Sequence, residues 1–383
     1  MRQIMFLCLL IFGVHAAPKK TICLNMIVKN ESRIIHECLH SVKDLIDYWV
    51  IVDTGSTDGT QDIIRSVMKG IPGQLYERPW VNFEVNRNEA LQYARGTADY
   101  IMMIDADEKV DFHTLQKQFP SDLDAYFITV RESGADYQRL FLIKDTAPWR
   151  WQGVLHETLM CSRAYSSNLL DNVVLLSNTA NGARSQDPQK YLKDAMVLEK
   201  ALIDEPDNSR YMFYLAQSYF NAGEYQKAKV AFQKRSTMGG WDEEVYWALY
   251  RVAQLTQTLD KDVPAANEAF KKAHQYRPRR AEPLFHLANN YVDQGDYLGA
   301  YALAKYALTI PTPNDHVFVE HWIYRHGFLL ALARAAHALQ FYGETKEVCE
   351  KISKMPHIDS ALKANMEENV RILSEALKPV KIQ

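Results

Sequence analysis

Tyr100-Ile101-Met102-Met103-Ile104-Asp105-Ala106-Asp107-Glu108 decides how the front of this chain is read. An apolar run leads straight into an acidic cluster, which predicts a buried strand emerging at its carboxyl end. In open α/β sheets that edge forms the ligand crevice. Alternation along an extended backbone predicts Asp105 and Asp107 on one side. Two carboxylates facing one point suit a hard divalent cation, Mn2+ or Mg2+. Such a cation can bridge a diphosphate and offset the charge of a departing nucleotide. The plain alternative is an acidic turn followed by a helix cap at Asp111.

Upstream, short apolar runs alternate with helical patterns. Residues 21–28, 48–52 and 75–77 read as strands, and residues 31–43, 60–68 and 86–94 as helices. The first helix has Ile34, Ile35, Leu39 and Val42 at helical spacing, with Asn30 placed to cap it. This alternation predicts parallel strands joined by right-handed crossovers. Asp53 ends the second strand, just before Thr54-Gly55-Ser56-Thr57-Asp58-Gly59-Thr60, and should face the same crevice. Backbone N–H groups at the start of the next helix suit an anionic ligand. Downstream, residues 125–131 and 138–144 flank Ser133-Gly134-Ala135-Asp136 and read as a hairpin. Residues 154–161 and 169–176 read as further strands. The expectation for 21–181 is an α/β domain with a mixed, mostly parallel sheet.

Beyond Asn181-Gly182-Ala183-Arg184 the pattern turns helical and repeats itself. Leu215, Gly223 and Ala228 recur as Leu287, Gly295 and Ala300, and Tyr225 recurs as Tyr297. A degenerate copy lies between them, with Ala266 and Phe270 echoing Ala228 and Phe232. Residues 322–352 read as a weaker fourth copy. This half resembles the tetratricopeptide repeat, whose small and aromatic residues recur about every 34 positions. Residues 186–378 are therefore expected to form an all-α array of stacked helical hairpins, with faces left free for a protein partner or an acceptor.

The chain has 383 residues, 47% of them hydrophobic, and a formal charge of −3. That length predicts at least two domains, and so weak a charge excludes the field that gathers nucleic acid. Arg2, an apolar stretch from residue 4 to 14, then Ala16 and Ala17, read as a signal peptide or anchor over 1–17, or else as a misassigned start. A leader points to the secretory pathway, the periplasm or a membrane. The scattered cysteines form neither a disulfide framework nor a CxxC metal motif, and the compartment stays open.

Together the front segments resemble glycosyltransferase family 2, over residues 21–159. Met26-Ile27-Val28-Lys29-Asn30-Glu31 is similar to its opening strand and loop. Residues 52–60 are similar to its second-strand motif. Pro79-Trp80 and Asn86-Arg87-Asn88-Glu89-Ala90-Leu91 resemble the stretch before its metal strand, and Asp105-Ala106-Asp107-Glu108 its metal motif. Arg139-Leu140-Phe141 and Trp151-Gln152-Gly153-Val154-Leu155-His156-Glu157 resemble the late catalytic segment of a branch that carries tetratricopeptide repeats.

The resemblance implies a nucleotide-sugar transferase A-type fold and an inverting hexosyltransferase that moves sugar from a nucleoside-diphosphate donor to a hydroxyl. The acceptor would be a glycan, a lipid-linked sugar or a protein. It implies that Glu31, Asp53, Arg87 and Asp105 line the donor pocket. Asp105 and Asp107 would bind the metal, with His156 as a further ligand or a contact to the diphosphate. Glu157 would be the catalytic base, with Asp136 or Asp145 next in line. Many members place a second acid after the strand aspartate. Thr54 stands there in this chain, which leaves the base contact unassigned.

Glu157 has a structural alternative, an ion pair with Arg139 or Arg150. The competing reading of the whole chain is an inactive sugar- or nucleotide-binding domain on a repeat scaffold. A nucleotidyltransferase would also use paired carboxylates, but no glycine- and lysine-rich phosphate loop is present.

Overall fold

The computed structural model of the chain describes residues 20–112, 122–132 and 135–378. The leader read over 1–17 and the hairpin tip at Ser133-Gly134 lie outside them. The chain divides into two compact units, Met1–Lys190 and Tyr191–Gln383.

The first unit opens with β1 (Ile22–Val28), α1 (Ile35–Val42), β2 (Tyr48–Asp53), α2 (Thr60–Val67), β3 (Gly73–Glu77), α3 (Phe83–Ala94) and β4 (Tyr100–Met103). It continues with β5 (Glu108–Phe112), β6 (Ala125–Glu132), β7 (Ala135–Lys144), β8 (Trp149–Gln152), β9 (Thr158–Cys161) and β10 (Ser167–Ser177). Eight strands form one sheet in the order β3-β2-β1-β4-β7-β6-β10-β5, and β8 pairs with β9 apart from it. β1 lies parallel to both β2 and β4, β2 is parallel to β3, and β6 to β10. The pairings of β4 and β6 with β7, and of β5 with β10, are antiparallel. The sheet is mixed and mostly parallel, as the alternation of strands and helices implies. Its central strands are apolar on both sides: Leu24, Met26, Ile51 and Met102 pack in one core, and Cys23, Val50, Ile101 and Met103 in the other.

Local chemistry departs from the sequence reading in several places. Asn30 does not cap α1. It sits at φ 57, and its side chain accepts from the Thr57 N–H, tying two loops together. α1 begins at Ile35 with no side-chain cap. α3 begins three residues earlier than its periodicity suggests, because Asn82 accepts from Val85 N. Asp111, a helix cap in the plain alternative, lies in β5. Residues 154–161 are not one strand: β8 and β9 form a hairpin around a turn that contains Gly153 at φ 113 and His156 at φ 52.

The second unit is a succession of helical hairpins. α4 (Lys190–Asp204) precedes α5 (Ser209–Asn221) with α6 (Tyr225–Arg235), and α7 (Asp242–Leu255) with α8 (Val263–Tyr276). α9 (Glu282–Asp293) with α10 (Tyr297–Ala307), α11 (Phe328–Ala338) with α12 (Tyr342–Ser353), and α13 (Ser360–Ala376) complete it. Ala228, Ala266 and Ala300 are fully buried, as are Phe232 and Phe270, so the recurring positions are the contacts between helices. Tyr225 and Tyr297 are exceptions. They recur in sequence yet stay 45% and 39% exposed, with Tyr225 packing edge-on against Phe220 at the rim of its hairpin. No described helix is long and apolar enough to cross a membrane.

Candidate active site

Two loops at the carboxyl ends of β1 and β2 are zipped by backbone-to-side-chain bonds. Asn30 N donates to Ser56 Oγ at 2.8 Å, Glu31 N to Thr60 Oγ1 at 2.9 Å and Ser32 N to an Asp58 carboxylate oxygen at 3.0 Å. Asp58 also accepts from Thr60 N and Oγ1. Burial works to raise its carboxyl, but the bonds from Thr60 and Ser32 together outweigh it and hold the group down to about 2. Asp53, almost fully buried, accepts from Gly55 N and Ser56 N with one oxygen, while its Oδ2 has no partner. Thr54 turns inward and donates to the Val28 carbonyl, so the neighbour of Asp53 offers nothing to a ligand.

The acidic cluster after β4 is a closed turn. The strand stops at Met103. Glu108 N then donates to the Asp105 carbonyl at 3.1 Å, and Asp105 N donates to the Glu108 carboxylate at 2.8 Å. The extended alternation expected for Asp105 and Asp107 therefore does not occur. Glu108 is nearly buried and pairs with Arg139 at 2.6 Å, which fixes the turn to β7.

Arg87 joins this turn to the β8–β9 hairpin. Its Nη2 lies 2.8 Å from Asp105 Oδ1 and its Nε 2.5 Å from Glu157 Oε1. The Trp151 ring covers the guanidinium at 4.8 Å. Glu157 thus pairs with Arg87 and not with Arg139 or Arg150; Arg150 pairs with Glu84. Burial works to raise the Asp105 carboxyl, but Arg87 and Arg139 hold it below the usual carboxylate range. Asp107 moves the other way, pushed up by burial and by the charge of Asp105.

A segment beyond β10 closes the far side. Asn178 N donates to the Asp107 carbonyl, and Ala183 N donates to both oxygens of Glu31 at 3.3 and 3.1 Å. A Cβ on Gly182 would fall 2.7 Å from Asp107 Oδ2, so any larger residue there would push the Asp107 carboxylate aside. Arg184 stacks over Phe83 at 4.6 Å. Burial pushes the Glu31 carboxyl up to about 7; the Ala183 N–H opposes this, and Asp107, Asp58 and Asp105 add to it.

Arg87, Asp105 and Glu157 are therefore in direct contact, and Glu31 and Asp107 share the covering segment. Asp53 serves the adjoining loop. His156 is exposed at the hairpin turn. Among the described residues no group of three or more His, Cys, Asp or Glu side chains converges to hold a metal. The donor set is nonetheless the right kind. A magnesium-type ion is bound by one or two carboxylates, waters and substrate phosphates, so Asp107, with Asp105 two residues before it, would be the residues to hold one. Asp136 and Asp145 are engaged elsewhere, Asp136 with Arg131 and Asp145 with Arg95 and Gly96 N.

The sequence reading missed what holds the hairpin on α3. Asn88 Nδ2 donates to the Trp151 carbonyl at 2.8 Å, and its Oδ1 accepts from Trp151 N at 2.9 Å. Glu84 accepts from Gly153 N at 2.7 Å. Their positions give a signal: Glu84, Arg87, Asn88 and Leu91 share one helical stripe.

This fold, a mixed and mostly parallel sheet with acidic residues at its strand ends, is matched by a family of glycosyltransferases. Residues 23–136 match the family model of Glycosyl transferase family 2, which marks a domain of that family within the N-terminal unit. The SPbeta prophage-derived glycosyltransferase SunS of Bacillus subtilis (strain 168) is 26% identical over 225 residues, 54% of this chain and 51% of SunS. The chain thus spans about half the length of that relative. A TPR repeat-containing protein of Synechococcus elongatus is 26% identical over 313 residues, 76% of each chain, a stretch longer than either unit. The crystal structure of S. aureus TarS in complex with UDP-GlcNAc is 13% identical, covers 66% of this chain and 92% of that one, and overlaps with a TM-score of 0.35. That overlap is too slight to bear on the donor.

Proposed function

We propose that the chain is an inverting, divalent-metal-dependent glycosyltransferase using a nucleoside-diphosphate sugar. The observation that carries this reading is Arg87, which draws Asp105 and Glu157 to one edge of a family 2 sheet although 52 residues separate them in sequence. Glu157 takes the proton of an acceptor hydroxyl as its oxygen attacks the anomeric carbon. The bond from that carbon to the diphosphate breaks, and its electron pair leaves with the nucleoside diphosphate. A single displacement inverts the anomeric centre. Arg87 positions Glu157 and lies where it can also meet the diphosphate. A divalent cation held by Asp107, with Asp105 behind it, would supply charge to offset the departing diphosphate. Glu31 and Asp53 border the same crevice on the donor side. The acceptor is a hydroxyl of a glycan, a lipid-linked sugar or a protein.

Calorimetric titration of nucleoside diphosphates with and without Mn2+ tests the donor half. Binding should require metal in the wild type and be lost in Asp107→Ala. Equal affinity of the two proteins in Mn2+ would remove the proposed metal site.

A further inference from the structure

The rings of the repeat unit form a band across its hairpins. Phe213 of α5 lies 6.3 Å from Phe318, and Phe318 lies 4.9 Å from Trp247 of α7. The contacts continue from Trp247 to Tyr250 at 5.7 Å and on to His286 of α9 at 5.6 Å. Phe285 then links His286 to Trp322. Most of these rings pack on one another, but Phe318 and Trp322 remain 47% and 40% exposed.

Two nitrogens along this band have no partner. The Arg251 guanidinium is held between Phe220 and Trp247, 4.3 Å from each ring. Its Nη1 donates to Gln254 Oε1 at 2.8 Å, its Nε is buried without an acceptor, and no carboxylate among the described residues pairs with it. His326 lies 5.8 Å from Trp322, and its Nδ1 is likewise buried and unpartnered. Among the described residues of this unit, no other buried side-chain nitrogen or oxygen lacks a partner. Burial lowers the basicity of both groups: on Arg251 it outweighs the opposing charges of Tyr250 and Glu320, and on His326 Arg325 adds to it. Glu320, which accepts from Tyr250 on the same band, only partly offsets the desolvation of Arg251, and a desolvated cation with a buried N–H left unpaired is an unfavourable arrangement that a ligand carboxylate relieves.

The amides along the band narrow the choice of ligand. Gln217 already accepts from Trp247 Nε1, Gln257 bonds to Asn290, and Asn290 bonds to Asn267. These are the groups that would otherwise read an extended peptide backbone. What stays open is ring faces and cationic donors. An aromatic face carries partial negative charge and attracts the C–H face of a sugar ring, while a fixed guanidinium fork matches a carboxylate.

We infer that this band is a saccharide-binding site for an acidic glycan, with a sugar carboxylate on Arg251 and a sugar ring on Trp322. The inference rests on the glycosyltransferase reading for its purpose, capture of the acceptor, but the binding itself needs no catalysis.

The test is titration of the full chain with three probes: an oligogalacturonate, a neutral cello-oligosaccharide and a poly-glutamate peptide. The oligogalacturonate should bind, and the other two at least about ten-fold more weakly. Arg251→Gln and, separately, the exposed-site variant Trp322→Ala should each weaken it by about ten-fold or more, with helical circular dichroism unchanged. Asp107→Ala should leave this binding intact, which separates the fate of this site from that of the donor site. Equal binding of the peptide with the same Arg251 dependence would make the band a protein-docking surface and overturn the inference. Absence of oligogalacturonate binding, or indifference to both variants, would overturn it too.

Discussion

Replacing Asn88 by alanine should detach chemistry from donor binding. Asn88 reads both the carbonyl and the N–H of Trp151 at 2.8 and 2.9 Å. The Trp151 ring covers Arg87, and Arg87 holds Glu157. The variant loses two hydrogen bonds worth about 1 kcal/mol each and strips two half-buried backbone groups of their partners, so the hairpin's docking on α3 weakens by about 2–4 kcal/mol. Glu84 still holds Gly153, which should keep the hairpin nearby but looser. Misplacement of a reacting group by about 1 Å costs on the order of a hundred-fold. The expected result is a kcat reduced about 10- to 100-fold, with the metal-dependent affinity for nucleoside diphosphate within about three-fold of wild type, since that half of the site lies on β4 and the first two loops. Asn88→Asp, which keeps the acceptor and loses the donor, should fall between the two. Steady-state kinetics with donor titration, at a temperature well below unfolding, reads all three. A kcat unchanged in Asn88→Ala, or kcat and donor affinity falling together in a folded protein, would refute the positioning role.

Other outcomes follow from single residues. Glu31 in the folded chain binds its proton up to about pH 7, whereas unfolded it releases it near pH 4.5; folding therefore takes up a proton in that window and stability falls as pH rises through it. Glu31→Gln should flatten that slope in denaturation midpoints measured at pH 5 and pH 7.5, and an identical slope in the variant would contradict the assignment. Gln340 occupies a left-handed turn at φ 62 between α11 and α12, so Gln340→Gly should stabilise the repeat unit by up to about 1 kcal/mol, visible as a higher urea midpoint; a lower midpoint would show that the Gln340 side chain matters more than its backbone strain.

The same turn explains what the sequence could and could not reveal. Gly223 and Gly295 carry the left-handed turns of two hairpins at φ 79 and 82, and those copies are easily recognised. In the fourth hairpin Gln340 takes that conformation without a glycine, and the first hint of the repeat disappears. In the first unit, the parallel strands are legible because buried strands read as continuous apolar runs. β8 is not, because Trp149-Arg150-Trp151-Gln152 earns its strand pairing from β9 and from α3, not from a pattern of its own. Asp105, Asp107 and Glu157 stand out as acids after strands. Their actual grouping depends on Arg87, and a long-range ion pair leaves no periodic trace. The covering contact of Ala183 on Glu31 spans 152 residues and involves a backbone N–H, which any residue but proline supplies.

In the proposed reaction Glu157 is the base of a sugar transfer supported by the Asp105–Asp107 turn. The direct measurement is nucleotide release from a panel of nucleoside-diphosphate sugars in Mn2+, with acceptor present, for wild type and Glu157→Gln side by side. One donor should be turned over by the wild type, and Glu157→Gln should bind that donor normally yet transfer at least about a hundred-fold more slowly. Near-normal transfer by Glu157→Gln, with the same donor dependence, would show that Glu157 is not the base.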